Sequence, residues 1–354
     1  GSANFNQENY TFSYDTGDFT INRRAITLTA NQQEKIYGDQ LALDDAVFTT
    51  LDKDGDAVLP NDEVVTNVTI NSATGVDAST TSDVANYVDE IEISGPVVGI
   101  DGSGDGFLES NYDITYVAGD LSVNKRAITV TPSRQEKVYG DQLILDDTAF
   151  TVIDLDNDST LPNGEVIETV SVISRGEHDT STTSNAVTYQ DDLEITEFET
   201  GSNGFDSNNY SFDFSNLGDF VINRRAAQII ASAQEKDYGD VHDLGNTAFT
   251  VVDRDGGALP NGETVDTVTL VSADGVDAST DADAVLYADN ISVTPTSTND
   301  ATIAGSANFN QENYTFSYGT GDLTVNRRAA QIIASAQEKD YGDVHDLGDV
   351  AFTV

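Results

Sequence analysis

The sequence predicts an all-β chain, a tandem array of β-sandwich domains of about 100 residues each, strung as beads on a string. Three observations predict it. Short motifs recur at near-constant spacing, apolar residues alternate with polar ones, and Gly and Asp interrupt the alternation every few residues. Tyr-Gly-Asp begins at Tyr37, Tyr139, Tyr238 and Tyr341, which are 102, 99 and 103 residues apart. An Asn-(Arg/Lys)-Arg-Ala string begins at Asn22, Asn124, Asn223 and Asn326, with the same steps. Leu-Pro-Asn begins at Leu59, Leu161 and Leu259, and Asn-Tyr at Asn9, Asn111, Asn209 and Asn313. This period exceeds the roughly 20–45 residues of a solenoid unit and matches one small domain. The repeats divide the chain into a part-repeat 1–24, full repeats 25–126, 127–225 and 226–328, and a further part-repeat 329–354.

Each repeat reads as strands in a fixed order. Ala25–Thr29 alternates and opens the repeat. Val47–Leu51 and Val64–Ile70 form the next pair, joined by an acidic loop that closes on Leu-Pro-Asn. Ser82–Tyr87, with its counterparts Ser184–Tyr189 and Ala282–Tyr287, is the one stretch that reads as a helical turn, and Val88–Ser94 is a further strand. Tyr10, Phe12 and Tyr14 then alternate with polar residues, a Gly-containing turn follows, and Phe19 and Ile21 alternate again. This predicts a hairpin with one buried face. Its copies are Tyr112, Ile114, Tyr116 with Leu121, Val123, and Tyr210, Phe212, Phe214 with Phe220, Ile222. The count is about seven strands per repeat, packed as two sheets. No Gly/Ser or Pro tract separates one repeat from the next, so neighbours should be joined stiffly. Residues 223–245 and 326–348 are identical over 23 positions, and 1–14 repeat at 305–318, the mark of duplication within the gene.

Composition excludes several functions. The chain carries 62 acidic and 16 basic residues, a formal net charge of −46. Such a polyanion repels the phosphates of nucleic acid and anionic membrane surfaces. No apolar run approaches the ~18 residues of a membrane helix, so no membrane insertion is expected. With no Cys there is no disulfide framework and no thiolate chemistry. A hydrophobic fraction of 38%, with 14 Tyr and 15 Phe, is enough to build cores. The absence of Met and of a signal peptide reads as an internal segment of a longer chain.

The order of strand, Glu-Lys-x-Tyr-Gly-Asp, Leu-Pro-Asn, Asn-Tyr, Gly turn and basic junction resembles the MBG-type (YGX-type) domains that occur in tandem in very large bacterial surface proteins and adhesins. The resemblance runs repeat by repeat over essentially the whole chain. It implies Ig-like β-sandwiches, with a β-grasp-like topology as the alternative. It also implies a non-enzymatic, extracellular or cell-surface role as the stalk or extender of an adhesin, in contact with further repeats or copies of itself. The extreme acidity departs from many relatives. A self-assembling extracellular filament and glycan-binding repeats are the competing expectations. No nucleophile–base set recurs, which argues against an enzyme.

Two sets of charged residues are candidates for chemistry. Asp52, Asp54, Asp56 and Glu63 have the spacing of oxygen ligands in a calcium loop, and Asp154, Asp156, Asp158 and Glu165 repeat it. The pattern departs from a calcium loop at its sixth position, Ala57 or Ser159, and its flanks read as strands. The expected cofactor is Ca²⁺, or another divalent cation; the alternative is a solvated acidic loop. Asp101, Ser103 and Asp105 form a weaker acidic loop. The cations are the second set. Arg23, Arg24, Lys125, Arg126, Arg224, Arg225, Arg327 and Arg328 fall at the repeat boundaries, where forked Arg–carboxylate bonds would brace one domain against the next. Lys35 and its copies raise an internal Lys–Asn isopeptide bond as a further expectation, set against their place in a polar loop. Tyr37 and its copies read as core-edge residues, and His178, His242 and His345 are too scattered for zinc.

Overall fold

The computed structural model describes residues 5–100, 106–294, 303–349 and 352–354. Among these residues the only helices are single 3₁₀ turns, and none is long and apolar enough to cross a membrane. All other regular structure is strand. The chain forms two compact units, one of Gly1–Val130, Val152–Thr169 and Phe198–Asp213, the other of Thr131–Thr151, Val170–Glu197 and Phe214–Val354.

In the first unit, Arg24–Ala30 is the centre of a three-stranded sheet, antiparallel to Phe48–Asp52 and parallel to Tyr112–Val117. Its side chains alternate, and Ile26, Leu28 and Ala30 are buried. A four-stranded sheet runs in the order Gln33–Ile36, Gly119–Asn124, Ala85–Ile100, Val64–Ser72. Leu121, Val123, Ile91, Ile93, Val68 and Ile70 fill its inner face. Each buried side chain of this size contributes about 1.5–3 kcal/mol, and the two apolar faces close into a sandwich.

The segment 112–123 is not a hairpin. Tyr112–Val117 runs parallel to the first strand, from Arg24↔Tyr112 to Thr29↔Val117, and Gly119–Asn124 continues in the same direction beside Gln33–Ile36. Both segments step sideways from one sheet to the other at the same level. Gly119 sits at the step, where a Cβ would be driven into the Ala30 carbonyl oxygen. A Gly turn and period-2 alternation are common to a hairpin and to this crossing, because alternation carries no information about strand direction. The counterpart 210–222 behaves alike, with Tyr210–Asp213 parallel to the start of Arg126–Pro132 and Gly218–Asn223 parallel to Gln135–Val138.

The stretches expected to make a helical turn make none. The chain bends there, and a tyrosine closes the bend four residues on: Tyr87 Oη donates to Asp83 O (2.9 Å), Tyr189 Oη to Asn185 O (3.1 Å) and Tyr287 Oη to Asp283 O (3.2 Å). The strands Ala85–Ile100, Thr188–Ser202 and Leu286–Val293 follow.

In the second unit, Arg225–Ala231 lies between Phe249–Asp253 (antiparallel) and Tyr314–Gly319 (parallel). The companion sheet runs Gln234–Asp237, Gly321–Asn326, Leu286–Val293, Leu270–Ser272. Ala227, Ile229, Ile291, Leu323 and Val325 fill its core. Residues 10–14 carry the same text as 314–318, yet Tyr10 is 60% exposed and Tyr314 3%. Tyr314 has the strand Arg225–Ala231 alongside; Tyr10 lies in no strand.

Gly119→Ala should lower stability by about 1–3 kcal/mol, the cost of overpacking, when followed by urea unfolding. Gly17→Ala, at a position with nothing within 4 Å of the added carbon, should change it by less than about 0.5 kcal/mol.

Candidate functional site at the joint between repeats

The recurring motifs meet where one repeat enters the next. In the first unit, Tyr37-Gly38-Asp39 ends the strand Gln33–Ile36, and the Tyr37 amide donates to Asn124 O (2.9 Å), the last residue of the repeat's final strand. Gly38 has φ +90 and lies against Pro162 of the next repeat's Leu-Pro-Asn turn, 2.6 Å from the place a Cβ would take. A side chain here would meet both a strained backbone and the proline ring. Tyr37 then turns its phenol into the next repeat. Its hydroxyl donates to Glu165, whose other oxygen accepts from Tyr210 Oη at 2.6 Å. The two tyrosine rings pack edge to face with centroids 5.6 Å apart. All three residues are buried.

Arg126 completes the contact. It is the first residue of the strand Arg126–Pro132 that leads into the next repeat, and its side chain is 6% exposed. Its Nε and Nη2 donate to Asp154 (2.9 and 2.7 Å), Nη2 also reaches Asp156, and Nη1 reaches back to Tyr37 O (3.3 Å) and Asp39 (2.8 Å). The Asp154 carboxylate uses its second oxygen to accept the amides of Asp156 and Asp158, so one residue both folds the acidic loop and faces the arginine. A second strip borders the first. Asn209 accepts from Val84 N (2.9 Å) and donates to Asp83 (3.0 Å), and Asn163 donates to Thr80 O (3.0 Å).

The second unit builds the same joint. Tyr139 and Tyr314 both donate to Glu263, and Gly140 lies against Pro260. Arg225 binds Asp253 (2.6 and 2.7 Å), Asp255 (2.6 Å), Asp141 (2.7 Å) and Tyr139 O (3.2 Å). Asn313 accepts from Ala186 N (2.8 Å), and Asn261 donates to Thr182 O (2.8 Å). Arg254 adds an ion pair to Asp141 at 2.6 Å.

The eight acids with calcium-loop spacing do not converge on one point. Asp52 and Asp54 face Arg24, Asp154 and Asp156 face Arg126, Glu63 accepts from Tyr112, Glu165 from Tyr37 and Tyr210, and Asp56 and Asp158 are exposed. Among the described residues no group of three or more acidic or histidine side chains is placed to hold a metal ion. Asp101, Ser103 and Asp105 lie outside the described residues. The basic pairs divide by position. Arg24, Arg126, Arg225 and Arg328 turn toward carboxylates, whereas Arg23, Lys125, Arg224 and Arg327 are exposed. Lys35 is buried, and its Nζ donates to the carbonyls of Asp39, Val76 and Ser79, tying the loop of the second strip to the turn of the first.

Asn163 and Asn209 are joint residues to which composition and spacing give no role, and Tyr37 reads from the sequence only as a core-edge residue. Their signal was present as recurrence, since each belongs to a repeated motif. The partner was invisible because it lies in the next repeat.

Burial and then Glu165 push the Tyr37 phenol up to about 12, and burial and then Glu63 do the same to Tyr112. Burial pulls the Arg126 guanidinium down, but Asp154 and Asp39 outweigh it and hold it above its ordinary value. Burial raises Asp154, yet the Asp158 amide and Arg126 bring it below the usual carboxylate range; Arg225 lowers Asp253.

Two predictions follow from this geometry. Tyr37→Phe strips a donor from a buried carboxylate and should cost about 1–3 kcal/mol in urea unfolding. Tyr238→Phe, at the same motif position but 44% exposed, should cost less than about 0.5 kcal/mol. The second concerns pH. Lowered Asp154 and Asp253 contribute stability above their ordinary value near 4, lost as pH falls through their folded values. The raised tyrosines contribute stability below their ordinary value near 10, lost as pH rises toward 12. Melting temperature should therefore hold a plateau between these limits and fall on both sides.

No family model matches the chain, and no curated protein matches it. The likeness to MBG-type domains rests on the order and recurrence of the motifs.

Proposed function

We propose that the chain is a non-enzymatic structural spacer, a run of stiffly joined repeats that forms part of the stalk of a large secreted or cell-surface bacterial adhesin. The observation that carries this reading is where the recurring motifs are used. Tyr-Gly-Asp, Leu-Pro-Asn-x-Glu, Asn-Tyr and the dibasic string all supply residues to the contact between successive repeats. A chain whose task is binding or catalysis would spend its recurring residues on an exposed pocket. Here Tyr37, Arg126, Glu165, Asn209 and Tyr210 are buried, and their work is to hold one repeat against the next. Only Lys125 lies between the strand that ends repeat one and the strand that opens repeat two, so the joint has little slack. The cell-surface setting is carried by the likeness to MBG-type domains. The net charge of −46 suits a spacer that must not stick to its neighbours.

Arg126 and Arg225 are, in this reading, the resident cations of their acidic loops, and stiffness does not depend on Ca²⁺. The test uses spin labels at Glu92→Cys and Glu199→Cys in the otherwise Cys-free chain. The inter-label distance distribution should be narrow, remain narrow in EDTA, and broaden with Arg126→Ala. A broad distribution in the parent chain would overturn the spacer reading, and broadening by EDTA alone would return calcium to the joint.

A further inference from the structure

We propose that each repeat is a shear clamp, built to carry tension along the chain. This rests on the spacer reading and adds to it the direction in which the spacer is loaded. The first and last segments of a repeat are the ones through which a pull enters and leaves. In repeat one they lie side by side and parallel: Arg24↔Tyr112 to Thr29↔Val117 in one sheet, then Gln33↔Leu121 to Ile36↔Asn124 in the other. Repeat three has the same ladder, Arg225↔Tyr314 to Ile230↔Gly319 and Gln234↔Leu323 to Asp237↔Asn326.

Direction decides what a pull does to such a ladder. The chain enters at Arg24, at one end of it, and leaves at Asn124, at the other. A pull along the chain draws the two segments past one another and loads every pair of the ladder together. Had the segments been antiparallel, entry and exit would share one end, and the pull would open the pairs one at a time. The ladder also spans both sheets, so sliding it disrupts both layers of the core: Ile26 and Leu28 on the first segment, Leu121 and Val123 on the last. Gly119, at the step between sheets, lets the two segments remain in contact throughout. The Tyr37 amide, bonded to Asn124 O, extends the ladder to the edge of the joint, where Arg126 holds Tyr37 O and Asp39. Tension leaving one repeat therefore passes into a residue already tied to that repeat's first segment.

The chain has no Cys, so introduced pairs define the pulling axis. In the full chain, handles at Arg23→Cys and Lys125→Cys load repeat one along the ladder. Handles at Gln40→Cys and Lys125→Cys pull the same ladder open from its exit end. All three positions are exposed. Single-molecule pulling should give a several-fold higher unfolding force for the first pair than for the second. The first should release on the order of 350 Å of chain, at about 3.5 Å per residue. If either pair alters the melting temperature, Arg224→Cys with Arg327→Cys, against Val241→Cys with Arg327→Cys, puts the same question to repeat three. Equal forces along the two axes would overturn the clamp. They would leave the spacer reading in place, since that reading stands or falls on the width of the label distances and not on force.

Discussion

A buried carboxylate shared by two tyrosines from successive repeats is the contact on which the architecture depends. Glu165 sits between Tyr37 and Tyr210, and Glu263 between Tyr139 and Tyr314. A carboxylate taken out of water needs its oxygens satisfied, and an unsatisfied one costs several kcal/mol. Tyr210 and Tyr314 supply one donor from within the repeat. The second comes only from the repeat before. The fold of each repeat thus leaves a polar demand at its entrance that its predecessor meets, and the placement of Tyr-Gly-Asp at the end of the second strand follows from it.

The arginine beside this carboxylate explains the acidic loops. Asp154 folds its own loop by accepting two amides and, with its other oxygen, faces Arg126. Taking Arg126 and Asp154 out of water is costly, and what offsets it is the completeness of their bonding, since the guanidinium also meets Asp156, Asp39 and a backbone carbonyl. Arg24 and Arg328, which each lack one side of this arrangement, are more exposed. At the Arg126 joint one guanidinium thus faces three carboxylates, while the buried Glu165 and Glu263 are met by tyrosine hydroxyls and not by a cation.

Much of this was legible in the sequence. Motif recurrence gave the repeat length, alternation gave the all-β class and most strands, and the basic pairs pointed to the boundaries. Three features were not legible, each for a physical reason. Strand direction was lost because alternation is the same for parallel and antiparallel neighbours, so 112–123 read as a hairpin. The arginine that faces the acidic loop was not legible because Arg126 lies 28 residues before Asp154 and is brought beside it only by pairing. Tyr37 read as a core-edge residue because its partner Glu165 lies 128 residues away. The pair of identical texts at 10–14 and 314–318 makes the same point, since only the one with a strand beside it becomes a strand.

The central claim is that Tyr37 and Glu165 act on one another across the joint, not merely each within its own repeat. A double-mutant cycle of Tyr37→Phe and Glu165→Gln, read by urea unfolding of the whole chain, measures that interaction alone. The account predicts a coupling energy of about 1–3 kcal/mol, in the range expected for residues in one buried network. Strictly additive effects would contradict it, because they would mean that the two side chains stabilise their repeats independently and that the joint does not hold them together.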